Sequence, residues 1–325
     1  MREIIIYFLA SFAIAAVFAP IALKLLRRLK AGQAILHYVD FHASKSGTPT
    51  MGGIIFILPL VILTPIFVRT DDPLSIIVIV ASVGFALLGF LDDFIKVRFK
   101  NNQGLRAYQK IIGQGGIAVL VAVFYTMLNP EGRVLIPFFN VFWDMGLFIG
   151  PLVFVVMIAT TNAVNLTDGI DGLAGTVALV FLAFLGIIMY QVTSIVTFPE
   201  YREFMLIIAI GVGSLLAFLL FNSNKASVFM GDTGSLYLGS LLATLSVFSF
   251  LGFFIIFLGL MFVWSALSVI IQVLYFKATK GKRVFKMTPY HHHLEKSGFA
   301  EARIVAIYAT VTILMGALLI LGFVA

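Results

Sequence analysis

The sequence predicts an all-α integral membrane protein, a polytopic bundle of ten transmembrane helices forming a single domain over residues 1–325. Three observations carry this prediction. Hydrophobic residues make up 61% of the chain and charged residues 11%, whereas soluble domains carry about 25% charged residues. The mean hydropathy is +1.08. Apolar stretches near the roughly 20 residues that cross a bilayer recur along the chain, separated by short polar loops. The same composition excludes disorder, a collagen-like repeat and a disulfide scaffold. With no cysteine, thiolate nucleophiles and Cys-ligated metals are excluded too.

The ten stretches centre on 4–24, 51–68, 74–91, 111–128, 146–163, 173–193, 204–221, 234–250, 252–276 and 303–324. The first is apolar for too long to be a signal-peptide core, and no small-residue cleavage site follows it. It ends in Lys24, Arg27, Arg28 and Lys30, an anchor at the cytoplasmic interface. The eighth and ninth form a nearly continuous apolar run in which Ser249 and Gly252 mark the turn. The ninth is long for a straight crossing, so a tilt or kink is expected. No loop is long enough for a soluble domain.

Basic residues set the orientation. Loops after odd-numbered spans hold 18 of the 22 Lys and Arg residues; the opposite side holds Arg2, Arg69, Arg133 and Arg202. The positive-inside rule makes the odd loops cytoplasmic and turns both termini outward. One face then carries about +10 and the other −3. A pI near 9.6 therefore reports topology and affinity for anionic membrane lipids rather than a nucleic-acid partner.

Five polar sets lie in the cytoplasmic loops. Lys45-Ser-Gly-Thr-Pro-Thr50-Met-Gly-Gly53 is either a phosphate-binding turn or a loop capped by Thr48 or Thr50. Asp92-Asp93, followed by Lys96, ends the third span, where acids oppose the helix dipole. Ionisable groups at such depth are functional candidates. Asn162-Ala-Val-Asn165-Leu-Thr-Asp168-Gly-Ile-Asp171-Gly172 combines amides, two acids and glycines without a cation. Its i, i+3 spacing would place Asp168 and Asp171 on one helical face. Phe229-Met-Gly-Asp232-Thr-Gly-Ser235 opens the eighth span, with Asp232 placed to cap it or to serve a site. Pro289-Tyr-His291-His292-His293-Leu-Glu295 lies in the basic loop before the last span. Consecutive histidines do not share a helical face, so donation to phosphate oxygens fits better than a three-His metal site. Carboxylates among cations on one membrane face suit Mg²⁺ and phosphoryl transfer. No P-loop or kinase signature accompanies them.

On these motifs the sequence resembles the polyprenyl-phosphate N-acetylhexosamine-1-phosphate transferases over essentially its whole length. Asp92-Asp93-Phe-Ile-Lys96, the Asn165 to Gly172 loop and Gly231-Asp232-Thr-Gly-Ser235 are of the superfamily type. The Lys45 to Gly53 and Pro289 to Glu295 segments are more specific. They are similar to those of the phospho-N-acetylmuramoyl-pentapeptide transferase family. The resemblance implies a multi-pass enzyme of the bacterial cytoplasmic (inner) membrane, usually a homodimer. It implies transfer from UDP-MurNAc-pentapeptide to undecaprenyl phosphate, giving lipid I and UMP, with Mg²⁺ as cofactor. It further implies that Asp92, Asp93 and Asp232 are catalytic, with Asp232 and Asp93 at the metal. Asp92 is either the base on the lipid phosphate or the nucleophile of a two-step scheme. Asn165, Asp168, Asp171, Phe229 and Gln272 would line the nucleotide-sugar site, and Lys45, Thr50, Lys96, Lys110 and His291 to His293 would bind substrate or diphosphate. Two alternatives stand beside this reading. A sister transferase would use UDP-GlcNAc and a polyprenyl phosphate. A secondary transporter would put charges at mid-membrane, where this chain carries almost none.

Overall fold

The computed structural model describes residues 1–29, 47–68, 72–99, 104–196 and 200–323. Its helices are α1 (Arg2–Arg28), α2 (Ile54–Phe67), α3 (Pro73–Phe99), α4 (Ala107–Leu128), α5 (Ile149–Thr167) and α6 (Leu173–Val192). They continue with α7 (Tyr201–Asn222), α8 (Gly231–Phe248), α9 (Phe254–Leu258), α10 (Leu260–Ala278), α11 (Tyr290–Glu295) and α12 (Glu301–Leu321). Each predicted span contains helix. Among the described residues, eight helices are long and apolar enough to cross a membrane: α1, α3, α4, α5 with the 3-10 turn before it, α6, α7, α10 and α12. The second and eighth spans differ from expectation. α2 is apolar but only 14 residues long. α8 has 18 residues and opens on the polar run Gly231-Asp232-Thr233-Gly234-Ser235.

The ninth span is broken, as its length suggests. α9 ends at Leu258, Gly259 interrupts it, and α10 restarts at Leu260. The chain also turns between α8 and α9, where Phe250 adopts a positive φ of 66°.

α8 is the centre of the bundle: every residue from Thr233 to Phe248 is buried. It packs against α3 and α5. α7 packs on α1 and α2, and α12 on α6. Several buried hydroxyls bond within their own helices. Thr64 donates to the Leu60 carbonyl, Ser82 to Val78, Thr161 to Met157 and Thr244 to Ser240. In an apolar surround such bonds remove the penalty of a stranded donor.

The fold is all-α but for one short hairpin. Strands β1 (Arg133–Ile136) and β2 (Val141–Asp144) form an antiparallel hairpin between α4 and α5. Its register pairs Arg133 with Asp144 and Ile136 with Val141. Phe138 and Asn140 turn the chain with positive φ. The Leu135 N–H donates to the Phe250 carbonyl at 2.8 Å, tying the hairpin to the α8–α9 turn. The hairpin lies at the end of α4 opposite Lys110.

Candidate active site

Four helix ends meet at one end of the bundle: the C-termini of α3 and α5 and the N-termini of α4 and α8. They bring Asp92, Asp93, Lys96, Lys110, Asn165 and Asp232 into one cluster. One oxygen from each of Asp92, Asp93 and Asp232 lies within 4.8 Å of the others. Two unit charges about 4–5 Å apart repel by roughly 3–4 kcal/mol at an effective dielectric of 20. Three carboxylates therefore require cations.

Two lysines supply them. Lys96 Nζ lies 2.6 Å from Asp92 Oδ2 and 3.0 Å from Asp232 Oδ2. Lys110 Nζ lies 3.0 Å from Asp92 Oδ2 and 2.5 Å from Asp232 Oδ2. The Asn165 amide donates to the other Asp232 oxygen at 2.9 Å and to Ser235 Oγ at 3.0 Å. Lys96, Lys110, Asn165 and Asp232 were expected in substrate or metal binding, but their pairing across helices is visible only in three dimensions.

The two adjacent acids have different partners. Asp92 Oδ1 accepts the Leu105 N–H at 2.7 Å, just before α4. Asp93 Oδ2 accepts both the N–H and the hydroxyl of Thr233, at 2.9 and 2.7 Å. Asp93 thus caps the N-terminus of α8 from a neighbouring helix. Asp232, expected at the capping position, lies in the first turn of α8, behind the cap residue Met230. The amide-rich end of α8 favours the negative charge that the C-terminal end of α3 disfavours.

Close approach needs glycine here. Gly231 has φ +70°, and a Cβ on it would run into Asp93 Oδ2 and lie 2.6 Å from Thr50 Oγ1. Thr50 is buried beside them. Its segment pairs with the one that leads into α8. Phe229 N–H donates to the Pro49 carbonyl, Gly52 N–H to Phe229, and Gly53 N–H to Met230, at 2.8–3.0 Å. Two motifs far apart in sequence thus form one backbone unit. Phe229 is half-buried beside it.

Asp168 and Asp171 do not share a helical face, because α5 ends at Thr167 and α6 begins at Leu173. They occupy the turn between. Asp171 Oδ2 accepts the Ala226 N–H at 2.9 Å, and its own N–H donates to Glu301 at 3.3 Å. Burial pushes the Asp168 carboxyl up to about 8, and the charges of Asp232, Asp93 and Asp171 add to the rise.

His291 is buried against Gly169 in this turn. His292 Nδ1 lies 2.6 Å from Glu295, and His293 Nδ1 accepts the Lys286 N–H at 3.1 Å. Gln272 uses its carbonyl oxygen to accept the Val284 and Phe285 N–H groups. Lys45 lies outside the described residues.

Several contributors escaped the sequence reading. Asn222 accepts the Gly172 N–H and donates to the Val228 carbonyl, joining two site loops. Gln114 accepts from the Asn162 amide. Thr233 and Ser235 were read only as part of a motif. An amide within an apolar helix, as at Gln114, is the signal that could have found the last pair.

The carboxylate set fits a hard divalent cation of the Mg²⁺ type, which takes oxygen ligands and usually one or two carboxylates alongside phosphates.

Comparison with known proteins finds relatives along nearly the whole chain. Residues 75–250 match glycosyl transferase family 4. Residues 45–57 match phospho-N-acetylmuramoyl-pentapeptide-transferase signature 1. The chain is 43% identical over 324 residues to the phospho-N-acetylmuramoyl-pentapeptide-transferase of Halalkalibacterium halodurans, covering 98% of this chain and 97% of the relative. It is 42% identical to that of Clostridium kluyveri over 318 residues, covering 97% and 98%. It is 41% identical to that of Bacillus subtilis over 324 residues, covering 98% of each. With similarity that runs end to end and includes the signature segment paired to α8, the chain belongs to the phospho-N-acetylmuramoyl-pentapeptide-transferase family.

Proposed function

We propose that this protein transfers phospho-MurNAc-pentapeptide from UDP-MurNAc-pentapeptide to undecaprenyl phosphate, forming lipid I and UMP. This is the first membrane step of peptidoglycan synthesis. The observation that carries the reading is the convergence of Asp92, Asp93, Asp232, Lys96, Lys110 and Asn165 at one bundle end, in a chain 41–43% identical to named transferases across its length.

The chemistry is an exchange of anhydrides. An acceptor phosphate oxygen bonds to the phosphorus that bears the sugar. The bond from that phosphorus to UMP breaks, and its electron pair leaves with UMP. Lys96 and Lys110 would meet the phosphate oxygens of donor and acceptor. Asp92 would take the proton of the acceptor phosphate, or act as nucleophile in a two-step route with the same products. Asp232 and Asp93 are the residues proposed to hold Mg²⁺, which when bound neutralises charge on the diphosphate and the leaving phosphate. Asn165, Asp168, Asp171, Phe229 and Gln272 are proposed to line the nucleotide-sugar site. Lys45, Thr50 and His291 to His293 are proposed to contact substrate phosphates.

The proposed setting is the bacterial cytoplasmic membrane. There a single domain crosses ten times, has both termini outside, works on the inner leaflet and assembles as a homodimer.

The test incubates the purified protein with undecaprenyl phosphate, Mg²⁺ and either UDP-MurNAc-pentapeptide or UDP-GlcNAc, and measures UMP and lipid product. Lipid I from the first donor alone is expected. Product from UDP-GlcNAc alone would move the protein to a sister activity. Asp232→Asn should lower turnover more than about 100-fold, beyond the usual effect of an outer-shell change at a metal site. Turnover near the parent's would sink the metal assignment.

A further inference from the structure

We infer that Tyr308 is a positioning residue of the site: its buried hydroxyl tethers the first turn of α11 and so sets where His292 stands when the donor's phosphates bind. This rests on the donor reading above.

α11 is too short to hold its own place. It has six residues, and its cap residue, Pro289, makes no side-chain hydrogen bond. The first N–H groups of a helix have no partners within it. In α11 the His292 N–H reaches the Pro289 carbonyl at 3.0 Å. The His291 N–H donates to the hydroxyl of Tyr308, from α12. That hydroxyl also lies 3.3 Å from Ser265 Oγ, in α10. Both Tyr308 and Ser265 are fully buried. One phenol therefore joins α10, α11 and α12 at a depth where an unmet donor is costly.

A buried tyrosine needs some partner for its hydroxyl, and Ser265 alone would supply one. The contact with the His291 backbone is the one that reaches the site. Other contacts on α11 are between rings. Trp264 of α10 meets Tyr290 edge-on at 5.7 Å, and Phe285 meets Tyr290 and His293 at 6.0 and 5.6 Å. Ring packing supplies area. The hydrogen bond supplies direction, because it weakens steeply out of line.

The three histidines then divide their work. His291 is buried with Nε2 against Gly169, where there is no room for a Cβ. His293 fastens the preceding loop by accepting the Lys286 N–H. His292 is half-buried, and its ring packs edge-on against His291 at 4.2 Å. Of the three it is the one placed to meet a ligand without giving up a structural bond to the loop. Its position follows from that of His291, and that of His291 from Tyr308.

The test is a double-mutant cycle read by calorimetry of UDP-MurNAc-pentapeptide binding to the full chain in nanodiscs. Tyr308→Phe keeps the ring and removes only the hydroxyl. It should weaken binding about three- to tenfold, the loss expected for one neutral hydrogen bond. In a His292→Ala background the same change should cost less than about twofold, because the ring being positioned is gone. Hydrogen exchange followed by mass spectrometry should quicken over residues 289–295, with the melting temperature near the parent's. Equal losses in both backgrounds would mean a general loss of stability and overturn the inference, as would unchanged affinity in the first. Should Tyr308→Phe fail to fold, Ser265→Ala keeps the phenol but frees it from α10. It should weaken binding in the parent and not in the His292→Ala background, and the same two contrary results overturn the inference. A parent chain that does not bind the donor rejects the donor reading. Exchange then decides the tether by itself: faster exchange over α11 upholds it, and unchanged exchange overturns it.

Discussion

Asp92 and Asp93 are neighbours in sequence with different structural duties. Asp93 holds an amide in the first turn of α8, that of Thr233, together with its hydroxyl, whereas Asp92 holds two lysines and the Leu105 amide. Removing a buried acceptor strands its donors, at about 1–3 kcal/mol. Without Asp92 both lysines keep Asp232 as a partner, whereas without Asp93 a buried amide and hydroxyl of the central helix lose theirs. Asp93→Ala should therefore lower the melting temperature in detergent more than Asp92→Ala, while both abolish turnover. Equal melting temperatures would count against the cap. Asp168 gives a pH prediction. Its folded-state value near 8 lies above the ordinary 3.8, so the folded protein keeps a proton that the unfolded chain has lost. Stability then falls as pH rises from about 4 to about 8. Asp168→Asn removes that dependence, so its melting temperature should exceed the parent's by more at pH 8 than at pH 5. A constant offset would contradict the burial. The identity of these acids was legible in the sequence because carboxylates in apolar contexts stand out. Their partners were not, since Thr233 and Lys110 lie 140 and 18 residues from the acids they serve.

Elements show the same division. Hydropathy located the long helices, because each must be apolar for the length of a crossing, but it ended the third span at 91, whereas α3 runs on through the polar residues to Phe99. It did not locate the β1–β2 hairpin. The apolar runs Val134-Leu135-Ile136 and Val141-Phe142-Trp143 are brief and do not alternate, and the hairpin is tied down by a bond to Phe250. Hydropathy did place Asp168 to Asp171 in a cytoplasmic loop, but the i, i+3 spacing suggested a shared helical face that the turn between α5 and α6 does not provide. The fit of α3 against α8 also depends on residues without a signature. Gly89 lies so close to the backbone of Asp232 that an added Cβ would strike the Asp232 carbonyl. Gly89→Ala should force the two helices apart, with an overpacking penalty of about 1–3 kcal/mol. It should lower both melting temperature and turnover without touching any charged group. Activity at the parent level would show that the contact can relax.

At the scale of the molecule, charge bias argues for one orientation across the membrane, and the absence of cysteine makes it directly testable. Leu147 is 81% exposed at the bundle end away from the carboxylate cluster. Leu147→Cys should react with a membrane-impermeant maleimide in intact cells. Lys225→Cys, in the loop beside Asp171, should react only after the membrane is opened. The reverse pattern would invert the proposed topology. The site itself could not be assembled from a linear reading, because it is made from helix ends that become neighbours only when α8 takes its place at the centre.

Asp93 has one further consequence. Its carboxylate lies within the proposed metal cluster and also anchors the central helix. A compound that gripped this oxygen pair could not be escaped by exchanging the residue, because the exchange would loosen the protein before it loosened the compound. Resistance would have to arise at positions such as Phe229 or in the basic loop after α10, where side chains can change without releasing a helix.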